Sequence, residues 1–186
     1  MQKLRTISTQ VVSLYEELDE VHDKLALSCD GCRLCCDTPA YNIEVSMMEF
    51  FPLAWYLLES GQFERWYEKS QRVTPQDRCL LLETNIAFKP EGGCSFHRYR
   101  PLICRLFSAS FVVRKTPQIL SCVLLKEKLQ NNFHQLVNAQ VYFDRLYNID
   151  PELAINRYDI NTAFRKALEY VGLRLWFNNS SFPLAG

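Results

Sequence analysis

The chain has 186 residues, of which 21 are basic and 21 acidic, so its net charge at neutral pH is zero. Such a chain has no overall field that attracts nucleic acid, and its apolar runs are too short to span a membrane, so we expect neither partner. Its start, Met1 to Arg5, predicts no secretory signal, which favours a cytoplasmic protein, and its length suits a single domain over residues 1–186.

The first predicted element is a helix over residues 3–27 with a regular apolar stripe. The stripe recurs at alternating steps of three and four, as in a coiled coil: Leu4, Ile7, Val11, Leu14, Leu18, Val21 and Leu25. We expect it to pack inside the domain, and a homodimer through this helix is the alternative. His22 lies beside the stripe and is interpreted as a polar flank, not as a metal ligand.

The next segment is a short loop with four cysteines in the order C-x-x-C-x-x-C-C: Cys29, Cys32, Cys35 and Cys36. A backbone that turns every third residue can direct several thiolates at one point, which suits a soft metal or an iron–sulfur cluster. Disulfides would need an oxidising compartment, and buried apolar cysteines would not cluster among polar neighbours. Metal binding is therefore the favoured interpretation.

Helices are predicted again after this loop. A short strand over residues 41–45 precedes Ser46 and Glu49, whose spacing predicts a capping box at the start of a helix. Pro52 should kink this helix or delay its start, and Gly61 should end it before a helix resumes. The apolar side chains in this segment are interpreted as core: Met47, Met48, Phe50, Phe51, Trp55 and Leu58.

The middle of the chain holds the other four cysteines: Cys79, Cys94, Cys104 and Cys122. Short strands are predicted over residues 79–82 and 111–114. The stretch between Glu91 and Glu127 contains no acidic residue but several arginines and lysines. Four thiolates around a divalent metal or an oxidised four-iron cluster leave a net charge of about −2. Arginine offsets such charge without becoming a ligand, which makes Arg100 and Arg105 the candidate cofactor-binding residues.

The C-terminal part is predicted to be helical. One long helix is expected over residues 121–147. Asp150 followed by Pro151 is the pattern of a helix N-cap with proline at the first helical position. A last helix, broken near Asp159, should extend towards Leu175.

These elements together predict the fold class. It is mainly α with a small, irregular, β-containing and cysteine-rich metal-binding core, an α+β arrangement. The core is expected over residues 25–125, and the flanking helices over residues 1–28 and 121–175. No catalytic acid or base is identified, so the pattern leaves open whether the protein is an enzyme.

The cysteine pattern is similar to that of a known family. The C-x-x-C-x-x-C-C loop is followed by R-P-x-x-C-R over residues 100–105. This paired signature, over about residues 25–125, resembles the YkgJ-type cysteine-cluster proteins, which are described as a zinc- or iron-chelating domain. The resemblance implies metal chelation. It implies no single reaction, since some relatives are flagellin lysine methylases and others have been labelled iron–sulfur oxidoreductases.

The spacing suits both metals. Zinc takes four ligands, often from C-x-x-C pairs, whereas a 4Fe-4S cluster commonly takes C-x-x-C-x-x-C and one remote cysteine. We slightly favour the iron–sulfur cluster, with Cys94, Cys104 or Cys122 as the remote ligand, and Cys36 could serve a second centre. Three functions follow as hypotheses: a redox or cluster-dependent enzyme, a structural zinc module that binds a protein partner, and a metal-handling protein.

Overall fold

The computed structural model describes residues 2–25, 33, 36–84, 93–107, 109–121 and 123–179. Four of the candidate ligands lie outside these residues: Cys29, Cys32, Cys35 and Cys122. Within the described residues the chain forms eight α-helices and seven short strands, so the predicted fold class, mainly α with a small β component, is confirmed. None of the helices in these ranges has the length and apolar character that crossing a membrane requires.

The helices are α1 (Gln2–Leu25), α2 (Phe51–Glu59), α3 (Phe63–Gln71), α4 (Leu102–Leu106), α5 (Val123–Asn131), α6 (Ala139–Ile149), α7 (Pro151–Ala154) and α8 (Ile160–Asn179). The strands are β1 (Glu44–Ser46), β2 (Leu82–Glu83), β3 (Gly93–Cys94), β4 (Ser110–Val113), β5 (Pro117–Leu120), β6 (Val137–Asn138) and β7 (Arg157–Asp159). Single 3₁₀ turns cover Ala40–Asn42, Met47–Phe50, His97–Tyr99 and Phe133–Gln135.

The strands form three small sheets. β1 pairs with β7, and β2 pairs with β3, both antiparallel. In the third sheet β4 lies between β5, to which it is antiparallel, and β6, to which it is parallel. Sheets of this size have little stability of their own, so they depend on the helices against which they pack.

The apolar stripe of α1 is buried inside the chain, as predicted. Six of its seven members are buried and Val21 is half-buried, because α1 packs against α2, α4 and α6. Burying one such aliphatic side chain contributes about 1.5–3 kcal/mol, so the stripe is a main source of stability. The homodimer through this helix stays a prediction.

The segment before α2 confirms the predicted helix start. Glu49 accepts a hydrogen bond from the Ser46 backbone N–H at 2.8 Å, which completes a capping box. The box opens a 3₁₀ turn, and the α-helix is delayed to Phe51 because Pro52 is tolerated only in the first turn. Gly61, at φ +69°, ends the segment in the left-handed region.

Two apolar clusters form the core. The larger draws on α1, α2, α6 and α8, and there Phe50 and Phe164 meet edge to face at 5.4 Å. It also includes the predicted core residues, with Met47 and Leu58 at its margin. The smaller cluster joins the end of α1 to the third sheet and α5: Leu25, Ala109, Leu129 and Leu136. The predicted domain boundaries stay predictions.

The prediction of one long helix over residues 121–147 is wrong. The structure ends α5 at Asn131 and inserts a 3₁₀ turn and β6 before α6. Pairing of Val137 with Ser110 of β4 and burial of Leu136 outweigh the local helix propensity. The Asn138 side chain then accepts from the Gln140 N–H at 3.0 Å and starts the new helix.

Local signals were more accurate around α7. Asp150 accepts from the Leu153 N–H at 3.2 Å and caps α7, with Pro151 in the first turn, as predicted. The predicted break near Asp159 is β7, and α8 follows directly and extends to Asn179, four residues past the predicted end.

The predicted strands are displaced by short turns. Residues 40–42 form a 3₁₀ turn and β1 begins only at Glu44, while the strand predicted over residues 79–82 begins at Leu82. The strand predicted over residues 111–114 is β4, one residue earlier.

Candidate metal centre

Three of the predicted ligands come from separate segments of the chain. Cys79 lies three residues before β2, Cys94 lies in β3, and Cys104 lies in the middle of α4. The antiparallel pairing of β2 with β3 places Cys94 opposite Leu82. The Ser95 N–H donates to the Leu81 carbonyl at 2.7 Å and continues this pairing. The short sheet therefore brings the segments of Cys79 and Cys94 together.

These three thiols lie close enough to influence one another's charge. Burial, followed by the nearby Cys94, raises the pKa of the Cys79 thiol to about 12. Burial, then Cys79 and Cys94, raises the pKa of Cys104 well above its ordinary value. The thiols of Cys79 and Cys104 are therefore protonated at neutral pH unless a cation displaces the proton. In the ranges that the structure describes, no three histidine, cysteine, aspartate or glutamate side chains form a ready cation site.

The backbone around Cys79 favours the thiolate. The N–H groups of Leu81 and Leu82 direct hydrogen bonds at its sulfur, which lowers its pKa against the effect of burial. The Leu82 N–H also donates to the Cys79 carbonyl at 2.9 Å, so the chain turns tightly here. Thiols with such donors suit a soft metal such as zinc or iron.

The end of the C-x-x-C-x-x-C-C loop is tied to the residue before Cys79. Asp37, directly after Cys36, forms an ion pair with Arg78 at 2.5 Å. Pro39 forms a β-bridge with Arg78, and the Ala40 N–H donates to the Asp77 carbonyl at 2.7 Å. The chain that follows Cys36 therefore lies beside the segment that leads into Cys79.

The first residue of α4 is held by a buried carboxylate. Glu49, only 1% exposed, accepts from the Leu102 N–H at 2.9 Å, and Leu102 precedes Cys104 by two residues. Burial raises the pKa of Glu49, against the hydrogen bonds from Ser46 and Leu102. The sequence predicted only the capping role of this residue.

Arg105, directly after Cys104, is held by α1. Its side chain is 1% exposed, donates to the Asp19 carboxylate and the Arg98 carbonyl, and lies 4.4 Å over the Tyr15 ring. Although burial raises it, the pKa of Asp19 is lowered to about 2 by the neighbouring His22, whose Nδ1 lies 3.8 Å from the carboxylate, and by Arg105. Contact of Arg105 with a cofactor stays a prediction, while its observed contacts join α1 to α4.

Arg100 is the cation that acts on Cys104. It lowers the pKa of that thiol against burial and the other cysteines. Its Nη2 donates to His22 Nδ1 at 3.0 Å, and His22 Nε2 lies 2.9 Å from the Arg105 carbonyl, which suits the tautomer with the proton on Nε2. Arg100 also contacts His97.

His22 was predicted to be a polar flank, and this interpretation is wrong. It is 5% exposed and lies within the buried side of α1. The signal was present in its position, since His22 follows Leu18 by four residues and precedes Leu25 by three. A polar residue on an apolar face needs partners, and those partners are Arg100 and Arg105.

Comparison with known families identifies one match. The model of the CxxCxxCC family, described as "Putative zinc- or iron-chelating domain", matches residues 28–130, which is more than half of the chain. The match includes all eight cysteines. Searches of curated proteins and of solved structures find no significant match.

Proposed function

The chain belongs to this family of zinc- or iron-chelating domains, and from that premise we propose that its cysteines hold a metal centre, with a 4Fe-4S cluster favoured over zinc. Candidate ligands are Cys29, Cys32, Cys35, Cys36, Cys79, Cys94, Cys104 and Cys122. A cysteine-ligated cluster supplies one-electron transfer when bound, so a redox role is part of this proposal.

One observation carries the proposal: the residue after Cys36 is paired with the residue before Cys79. The ion pair of Asp37 with Arg78 holds the end of the cysteine loop one residue before Cys79. Cys79, Cys94 and Cys104 in turn lie within electrostatic reach of one another. Ligands separated by many residues in the sequence can therefore serve one centre.

Two kinds of group near the described cysteines act against burial and favour the thiolate that a soft metal binds. A soft cation binds the thiolate, so it must displace protons that burial holds on Cys79 and Cys104. The N–H donors at Cys79 and the guanidinium of Arg100 both favour the thiolate form. Reduced thiols also require a reducing compartment such as the cytoplasm.

The ligand spacing supports iron–sulfur. The triplet Cys29, Cys32 and Cys35 with one remote cysteine is the common pattern of a four-iron cluster. Cys94 and Cys104 are the remote candidates among the described residues. Arg100 beside Cys104 offsets the negative charge of the cluster and its thiolates.

A second candidate function is a structural zinc module that presents a surface to a protein partner. Where they are described, the segments with Cys79, Cys94 and Cys104 contain only two two-residue strands, one 3₁₀ turn and one five-residue helix. Secondary structure this short contributes little stability, and a closed zinc site would join the segments. Metal handling is the third possibility, which labile metal exchange would support.

The deciding experiment is metal and sulfide analysis of protein purified without oxygen, with its visible spectrum. About four iron and four sulfide per chain with a broad brown absorbance would support the cluster. One or two zinc ions without sulfide, in a colourless sample, would support the structural module. Protein that contains neither metal and takes up neither on anaerobic reconstitution would overturn the proposal.

Substitutions test the ligand set. Cys79→Ser, Cys94→Ser and Cys104→Ser should each lower the bound metal, because serine replaces a thiolate with a weaker ligand for soft metals. The matched control is Ser95→Ala, an exposed side chain beside Cys94. Full metal content in all three cysteine variants would remove these residues from the site.

A further inference from the structure

We propose that Glu49 is a positioning residue for Cys104: its buried carboxylate fixes the start of α4 and thereby the place of the thiol. This inference rests on the proposed metal centre and adds a residue that the cysteine pattern does not contain. It is carried by the hydrogen bonds of Glu49, the anchoring of Arg105 and the link that Tyr15 makes between the two.

Local capping accounts for the hydrogen bonds of only one of the two oxygens of the Glu49 carboxylate. Its Oε1 accepts from the Ser46 N–H at 2.8 Å and from the Ser46 hydroxyl at 3.1 Å, which completes the capping box. Its Oε2 accepts from the Leu102 N–H at 2.9 Å, 53 residues away in the chain. A carboxylate that only capped a helix could stay in water, whereas this one is fully buried, which is costly unless both oxygens are satisfied.

The Leu102 N–H is one of the donors that a helix leaves unpaired at its start. Pro101, which precedes it, has no N–H, so Leu102 provides the first donor of α4. Since Cys104 is two residues further along the same helical turn, fixing the position of Leu102 also fixes the direction of the Cys104 side chain.

The other side of Cys104 is anchored as well. The Arg105 carbonyl lies 2.9 Å from His22 Nε2, and the Arg105 guanidinium binds Asp19. Tyr15 joins both anchors, because its hydroxyl donates to the Glu49 carbonyl at 3.2 Å and its ring lies under Arg105. Cys104 thus lies between Leu102, which Glu49 holds, and Arg105, which α1 holds. Partners of this kind, one shell beyond the ligands, typically set metal affinity.

The test is a double-mutant cycle on the full chain, with anaerobic Co²⁺ binding as the probe. Both the affinity and the intensity of the thiolate-to-cobalt charge-transfer band are measured for wild type, Glu49→Ala, Cys104→Ser and the double variant. We expect Glu49→Ala to weaken Co²⁺ binding by about 10–100-fold and to reduce the band by one thiolate. In the Cys104→Ser background the same substitution should cause no further loss, because its effect passes through Cys104.

The matched control is Ser46→Ala. It removes the Ser46 hydroxyl from the cap but leaves the bond of Glu49 to Leu102 in place, so Co²⁺ binding should be unchanged. If Glu49→Ala weakens binding equally with and without Cys104, Glu49 supports the fold in general and the inference is overturned. If wild-type protein binds no Co²⁺ at its cysteines and also takes up neither iron nor zinc on anaerobic reconstitution, the proposed metal centre itself fails.

A second variant covers the case in which Glu49→Ala does not fold. Replacing the Leu102 amide by an ester, through an α-hydroxy acid at that position, keeps every side chain, removes the N–H that donates to Glu49 and weakens the Pro101 carbonyl as an acceptor. The same loss of one thiolate in the charge-transfer band is expected. An unchanged band in the folded ester variant would also overturn the inference.

Discussion

The helices α1, α2 and α8 and the cysteine region, defined as residues 79–107, are held together in different ways. The helices meet through fully buried apolar side chains such as Val11, Phe50 and Phe164. Where it is described, the cysteine region has two two-residue strands, a single 3₁₀ turn and one five-residue helix, and buried polar contacts tie it to α1. Among its described residues, the cysteine region contributes only Leu81, Leu102 and Leu106 to the buried apolar core. We therefore expect it to depend more than the helices do on these polar contacts and on the proposed metal.

Removal of metal should have the largest effect and should separate the two regions. After anaerobic chelation, we expect amide protection to be lost over residues 79–84 and 93–107, because their short elements lose the metal cross-link. The helices α1, α2 and α8 should stay protected. Hydrogen exchange read by mass spectrometry measures this, with protein incubated without chelator as the control. Loss of protection spread evenly over the helices would contradict the comparison.

Phe50→Ala tests the helical part. The side chain is fully buried against Phe164, so the variant should lose about 3–5 kcal/mol in the free energy of unfolding. Denaturant titration measures the loss, and Tyr41→Ala, at an exposed position, is the control with little expected change. Metal content per folded chain should be that of wild type. A large drop in metal content of the folded variant would show that the two regions are not independent.

Asp19→Asn tests the link between the regions. The substitution leaves the buried Arg105 without its carboxylate and should cost about 1–3 kcal/mol, towards the lower end because Asp19 is partly exposed to solvent. The pKa of Asp19 is about 2 in the folded chain against an ordinary 3.8, so its ionised form stabilises the fold above pH 3.8. That contribution is lost as the pH falls towards 2.

Urea titrations between pH 2 and pH 5 check this prediction. The stability difference between wild type and Asp19→Asn should shrink as the pH falls through this interval. The matched control is Glu20→Gln, an exposed neighbour on α1, which should change stability little at any of these pH values. A difference that stays constant down to pH 2 would mean that the Asp19 charge has no part in the link.

Tyr15→Phe should have the smallest effect. It removes the hydroxyl that donates to the Glu49 carbonyl but keeps the ring beneath Arg105. The expected loss is about 0.5–1.5 kcal/mol, the net contribution of one hydrogen bond. Thermal unfolding of this variant beside Tyr41→Phe, an exposed tyrosine, gives the comparison. Equal melting temperatures of wild type and Tyr15→Phe would show that this hydrogen bond adds nothing to the stability of the contact between α1 and Glu49.

Features that depend on near neighbours in the chain were predictable. The α1 stripe follows from periodicity, and the caps at Ser46 and Asp150 follow from side chains that reach their own backbone within three residues. The break at Leu136 was not predictable in this way, because it depends on pairing with β4. Similarly, the second oxygen of Glu49 binds Leu102, and no local spacing indicates that partner.

The sequence by itself determined that this is a mainly helical chain whose cysteines form a metal-binding pattern of a known family. Composition, periodicity and short motifs suffice for that, since they act over a few residues. Only the tertiary structure decided which described cysteines become neighbours and which side chains hold them. The β2–β3 pairing, the Asp37–Arg78 ion pair and the α1 contacts of Arg105 join residues far apart in the chain. Such contacts form because packing the helices brings these segments together, which spacing alone does not reveal.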